Sequence, residues 1–402
     1  MTSHRGVEQQ VPIAVLTAAF LFNLGQGVLR PSMPLYLQRT FGANYRMVTL
    51  IPVVFGVGKW VASLPTGYLL RRLGRPLMIC GLLLIAFIDV ASVTAATFGV
   101  FLGLRGLGGL GWAMFATVAT TAIVRLPATQ RRGRAVSLLL VSETCGLLLG
   151  SAVGGWLYQQ AGVTTPFLFE AGCMVVAAGA VGRWATLRAD EASRPQRSEG
   201  RHLLAKVLRT PGVLLMSVTN SVLIAIQTGT LVFLFPLYLV KRAGMAPETV
   251  GLLVSVSVCG RLVALWLGGS VSDRWGRMRI LAPGLLFYAA LLGSMSLLTD
   301  PTLLGIWSFA VGAAAGFVAS IPTALMSDQV SGPLQGVAIG WLRTITDGGQ
   351  IVGPLVMGFL ADAIDLSAPF LFGAVLLAAT AWQCRRQASA LSAICTGGGP
   401  DS

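Results

Sequence analysis

Eight charged side chains stand well inside long apolar stretches: Arg30, Lys59, Asp89, Arg105, Glu143, Arg261, Arg343 and Asp347. A charge at the centre of a membrane helix costs about 2.5–3.5 kcal/mol on insertion scales, so such groups pair with one another or line water. The chemistry open to them is proton carriage and ion recognition. A carboxylate beside a cation stays ionised, and a carboxylate parted from it in a dry site takes up a proton. Glu143 is the first candidate carrier, Asp89 the second and Asp347 the third; a permanently ionised structural bridge is the alternative for each. Five cations against three acids leave a positive surplus, which would draw anions into a cavity. Asn23, Gln26, Asn220 and Gln227 are polar groups on the same stretches as Arg30 or on their counterparts, placed to orient a ligand or to bond to a facing helix.

Enzymatic chemistry finds no support. No nucleophile–base constellation appears, and no pair among the six cysteines has metal-ligand spacing. The two histidines, His4 and His202, fall outside the apolar stretches. No metal and no cofactor is expected.

The elements that must position these charges follow from composition. The chain has 402 residues, 54% of them hydrophobic and 11% charged, with mean hydropathy +0.76. Soluble domains carry roughly 25% charged residues, so this is the profile of a chain that crosses a membrane many times. A net charge of +14 raises nucleic acid as a partner, but the basic residues are split into short segments between apolar runs, not gathered on one face. Twelve apolar segments approach the ~20 residues needed to cross the ~30 Å hydrocarbon core: 11–38, 47–70, 77–97, 98–124, 136–159 and 164–187, then 211–240, 249–271, 280–299, 301–326, 336–361 and 367–387. The fold class is therefore all-α integral membrane, with six helices in 1–187, a polar linker in 188–210, six more helices in 211–388, and a tail in 389–402.

Orientation follows from Lys and Arg. With the N-terminus inside, the cytoplasmic segments hold 20 of the 29 basic residues and the outer loops hold 4. That bias places both termini and the linker in the cytoplasm.

The two halves are repeats. "PLYL" at 34–37 returns at 236–239, and "PFLF" at 166–169 returns at 369–372. A basic hinge, "PTGYLLRRLGRP" at 65–76, has a counterpart in "GGSVSDRWGRMR" at 268–279. A shift of 202 superposes Gly67, Arg72, Gly74 and Arg75 on Gly269, Arg274, Gly276 and Arg277. Six spans, a linker and six similar spans in the same orientation describe parallel repeats about an axis along the membrane normal, with the substrate path between them.

On these residues the chain resembles the major facilitator superfamily, and the likeness covers nearly all of it apart from the tails. The hinge motif of that family, Gly-x-x-x-Asp-Arg-x-Gly-Arg, is matched by Gly269, Asp273, Arg274, Gly276 and Arg277; in the first copy Arg71 stands where the Asp belongs. "LRGLGGLGWA" resembles the Arg-bearing motif of the fourth span, with Arg105 in place. "GLLLGSAVGG" resembles the Gly-rich motif associated with drug–proton antiporters, through Gly146, Gly150, Gly154 and Gly155, with Ser151 at its usual Pro. The resemblance implies two pseudo-symmetric six-helix bundles, alternating access, and a hinge that latches the halves on the cytoplasmic side.

Pairings follow from depth and repeat. Asp89 and Arg105 lie eight and seven residues either side of the turn between spans three and four, each ~12 Å deep at ~1.5 Å per residue, and are expected to pair. Lys59 and Arg261 are repeat mates, and Glu143 and Asp347 miss that relation by one residue. With the family's packing of span two on eleven and five on eight, this suggests Lys59–Asp347 and Arg261–Glu143 bridges between the bundles. Arg343 and Asp347, four apart, are alternatively partners on one helix.

The leading functional expectation is proton-coupled export of small amphipathic compounds, with protons as coupling ion, from a monomer in the bacterial cytoplasmic membrane. The alternative is transport of an organic or phosphorylated anion, resting on Arg30 and the charge surplus and expected to fail on loss of Arg30 or Arg343; Arg105 is a further substrate-cavity candidate. A non-transporting receptor is the third reading, and the tails and linker are short for it.

Overall fold

The computed structural model describes residues 2–124, 129–184, 212–329 and 333–396; the linker expected at 188–210 lies outside them. Every element is helical, as lipid demands, because only a helix satisfies all its backbone groups within one spanning segment. The first half consists of α1 (Thr2–Phe41), α2 (Tyr45–Leu73), α3 (Arg75–Val93), α4 (Phe98–Val124), α5 (Thr129–Gln160) and α6 (Thr165–Trp184). The second consists of α7 (Val213–Lys241), α8 (Pro247–Trp275), α9 (Arg277–Ser294), α10 (Pro301–Ala319, resumed as Ile321–Gln329), α11 (Pro333–Ala363) and α12 (Ala368–Thr396). Twelve spanning rods in two six-helix halves is the expected fold.

Among the described residues ten helices are long and apolar enough to cross a bilayer. The remaining two, α11 and α12, are as long but less apolar: α11 carries Arg343, Asp347 and Gln350, and α12 carries Arg385 and Arg386.

The repeated hinge is a one-residue turn. Gly74 alone separates α2 from α3, at φ 49°, and Gly276 alone separates α8 from α9, at φ 89°. A side chain is strained at such angles, and glycine is not. Two hinge residues that recur 202 apart are thus set by backbone geometry. Other ends use polar caps: the Asn44 side chain accepts from the Met47 amide at 2.9 Å, and Asp300 accepts from Thr302 and Leu303 at 2.9 and 3.0 Å.

The seams between helices are drawn by glycine in both halves. Gly146, Gly150 and Gly154 on α5 face the carbonyls of Phe20, Leu24 and Val28 on α1 so closely that a Cβ on any of them would collide. Gly349 and Gly353 on α11 meet Ser221 and Ala225 on α7 in the same way. Gly58 and Gly109 seal α2 to α4, as Gly260 and Gly312 seal α8 to α10. Close backbone approach of this kind is what holds helices together in lipid, where burying apolar surface yields nothing.

These seams expose a difference between the halves. From α1 to α7 the shift is 201 at the seam and 202 at "PLYL". The extra residue is absorbed by a π-helical stretch, Ile226–Leu234, in the middle of α7, where α1 is regular throughout. π-helical turns insert a residue in this way and recur at functional sites.

The described residues pack as two compact units. The first comprises those of 1–194 together with Val232–Ser255, and the second those of 195–231 together with Val256–Ser402. Within the first unit α1 lies on α5 and α6, α2 on α4, and α3 on α4 and α6. Its core runs through Val15, Phe22, Leu82, Phe115 and Met174, with Phe22 and Phe115 stacked at 4.3 Å. The start of α8 belongs to this unit: Gly251 packs against Gly155, and Ser255 donates to the Leu148 carbonyl at 2.9 Å. The Gly-rich motif of α5 therefore has two faces, three glycines toward α1 and Gly155 toward α8.

Candidate functional site: a buried charge cluster between α1, α3, α4 and α6

Asp89 and Ser92 lie three apart on α3 and so share a face. Arg105 reaches them from α4. Its guanidinium donates to the Asp89 carboxylate at 2.7 Å, to the Ser92 hydroxyl at 2.6 Å and, at 3.5 Å, to the Ile88 carbonyl. Asp89 is fully buried and Arg105 is 7% exposed, so this is an ion pair taken out of solvent, costly unless its remaining groups are satisfied. Phe101 and Phe167 hold the guanidinium carbon 5.4 Å from each ring centre, a distance at which an aromatic face attracts a cation.

A fourth helix completes the cluster. Glu170 on α6 is fully buried, and its carboxyl lies next to that of Asp89, close enough for the two charges to interact. Gln26 on α1 donates to Glu170 Oε1 at 2.6 Å. Gly25, beside Gln26, makes room for this: a Cβ there would come within 2.9 Å of Glu170 Cγ. Asp89 Oδ1 and Glu170 Oε1 thus have donors, whereas Asp89 Oδ2 and Glu170 Oε2 are buried with none among the described residues. Gln26 itself is half-buried and forms the more open end of the cluster.

The expected Asp89–Arg105 pair is therefore present. Arg105 is buried among aromatic rings, which removes it from the groups free to face an anion. Glu170 escaped the sequence reading, although it obeys the same rule as the other eight: a charge immediately after "PFLF" in an apolar run. It lies six residues from the start of its segment, where a charge passes for one at the membrane surface.

The other expected residues are placed as follows. Glu143 on α5 is half-buried, with no hydrogen-bond or ion-pair partner among the described residues of its own unit. Lys59 on α2 lies 5.2 Å from the Trp112 ring centre. Arg30 on α1 is half-buried, and Asn23 bonds back to the Ala19 carbonyl at 2.9 Å. In the second unit Asn220 donates to Thr346 Oγ1 at 2.8 Å, tying α7 to α11. Gln227 sits in the π-helical stretch, Arg343 is exposed and Asp347 half-buried on α11, and Arg261 lies beside the buried Tyr288. An apolar cavity of about 380 Å³ opens between α7 and α11, lined among others by Ser221, Ala225, Gly349, Gly353 and Met357.

At the hinge, Arg277 pairs with Asp328 of α10 at 3.3 Å, both within the second unit. Arg75 and Arg274 flank the two turns. Gly67 and Gly269 lie within α2 and α8, and the side chains of Arg72 and Asp273 lie outside what the structure describes.

Comparison with known proteins agrees with this architecture. Multidrug resistance protein MdtG of Escherichia coli K12 is 25% identical over 386 residues, covering 93% of this chain and 94% of the relative. MdtG of Citrobacter koseri is 26% identical over 243 residues, 60% of each chain. Among solved structures, the nucleoside transporter NupG superposes with TM-score 0.77 at 14% identity, over 95% of this chain and 98% of the other. A bacterial homologue of the human lysosomal transporter Spinster does so with TM-score 0.76 at 14% identity, over 95% and 96%. The sequence profile of the Major Facilitator Superfamily matches residues 15–246 and 219–386, so the chain belongs to that superfamily of multi-pass membrane transporters.

Proposed function

We propose that this transporter exports small amphipathic compounds in exchange for protons. The observation that carries the reading is the near full-length similarity to proteins named for multidrug resistance. Support comes from α5, where Gly155 packs on α8 and so joins helices of the two halves, the kind of joint at which one half rocks against the other in alternating access. The apolar cavity between α7 and α11 suits the greasy part of such a compound.

In this reading the chain is a monomer in the bacterial cytoplasmic membrane with both termini inside, as its basic loops require. Alternating access makes and breaks Lys59–Asp347 and Arg261–Glu143 bridges between the bundles, and Glu143, Asp89 and Asp347 are the carboxylates able to carry protons. The hinge at Gly276 and its first-half counterpart close the inner gate. The anion alternative rests on Arg30 and the charge surplus, and Arg105, held by Asp89, adds nothing to it.

Inverted vesicles energised by respiration, with the proton gradient followed by dye quenching, test the proposal. Lipophilic cations should collapse the gradient, and Glu143→Gln should abolish the response. A response to carboxylates or phosphate esters in place of cations would overturn the export reading.

A further inference from the structure

We propose that Asp89 and Glu170 share a single proton, and that this dyad, clamped by Arg105 and opened through Gln26, is a proton site of the transporter. The inference deepens the proton-exchange reading and rests on it for its role, though not for its existence.

The argument begins with donors and acceptors. An ionised carboxylate only accepts hydrogen bonds. Asp89 Oδ1 takes the Arg105 guanidinium and Glu170 Oε1 takes the Gln26 amide, which leaves one bare, buried oxygen on each of two neighbouring carboxyls. Two acceptors cannot satisfy each other, and a proton between them satisfies both. Charge leads to the same count. Arg105 neutralises one carboxylate, so with both acids ionised the dry cluster would hold a net negative charge, and with one proton it is neutral. Adjacent carboxyls that cannot both ionise are a known way to store a proton. The other titratable groups facing the dyad are Tyr36 on α1 and Cys173 on α6, neither of which brings a charge that would remove the need.

In the exchange step the shared O–H bond breaks, the proton passes to water at the Gln26 end, and both electrons stay on the dyad. The cluster then holds the negative charge, which a cationic amphipath arriving in the transport path offsets. Proton and cation thereby exclude each other electrostatically, as an exchanger needs.

Glu170→Gln is the informative variant. Its amide oxygen still accepts from Gln26 and its amide nitrogen can donate to Asp89, so it imitates the protonated dyad and should fold. Infrared spectroscopy of the purified protein should show the carbonyl stretch of a protonated buried carboxyl in the native chain and lose it in Glu170→Gln. The same variant in vesicles, held in the protonated form, should bind a lipophilic cation more weakly than the native chain and release no proton when it does. Asp89→Asn, which also supplies a donor, should lose the same band. Absence of the band in the native protein, or its survival in both variants, would overturn the dyad. Should the band behave as expected while the native protein moves no protons, the dyad stands and proton-coupled export fails.

Discussion

The two halves of the molecule solve one packing problem with different chemistry. In the first, Arg105 on α4 reaches across to Asp89 on α3; 202 residues later, Trp307 on α10 reaches across to Leu291 on α9, where its indole nitrogen donates to the backbone carbonyl at 2.7 Å. Ser92 has its counterpart in Ser294, and Phe167, which stacks near Arg105, has its counterpart in Phe370, 6.5 Å from Trp307. Glu170 corresponds to Gly373. The second half needs one neutral hydrogen bond to join these helices. The first spends an ion pair and an extra acid on the same junction, at the desolvation cost of buried charge. The second half makes this junction without those charges, which is the ground for placing the proposed proton site there.

The largest way to break the comparison is at Arg105. Arg105→Met strands Asp89 beside Glu170 with no cation, and removing one partner of a buried pair costs about 3–5 kcal/mol. Purified protein should lose most of its thermal stability, and Asp89→Asn in the same chain should restore part of it. Next come the glycine seams, where the halves are alike. Gly58→Val and Gly312→Val each drive a side chain into a backbone carbonyl, and overpacking of this kind costs about 1–3 kcal/mol. Equal losses in melting temperature would confirm that these seams are structural twins. Trp307→Phe keeps most of the ring and loses the bond to Leu291; about 1 kcal/mol is expected, with transport intact. The smallest effect is at Arg277→Ala, whose partner Asp328 is more than half exposed. Such pairs contribute about 0–1 kcal/mol, so a transport defect there without a stability defect would locate its role in the gate.

Much of this was legible in the sequence. Twelve helices follow from the twelve apolar runs, because an apolar run of ~20 residues satisfies its backbone in lipid as a helix. The hinge could be read from two glycines because only glycine takes the angles at 74 and 276. Asp89 and Arg105 could be paired because a helical hairpin fixes the depth of residues equally far from its turn. Glu170 and Gln26 could not be joined to them, since packing α1 and α6 on α3 is a tertiary fact that no spacing encodes. The π-helical stretch in α7 left a trace, the change of repeat shift from 201 to 202, but that trace becomes readable only when the seam residues are known.

The most direct measurement moves one half's solution into the other. Asp89→Leu, Arg105→Trp and Glu170→Gly together install in the first half the set that the second already uses. Reconstituted into liposomes beside the native protein, this triple variant should remain folded. The account predicts that lipophilic cations drive protons across the membrane through the native protein and drive none through the variant. Proton exchange persisting at the native rate in the folded variant would contradict the account and return the charge cluster to a structural role.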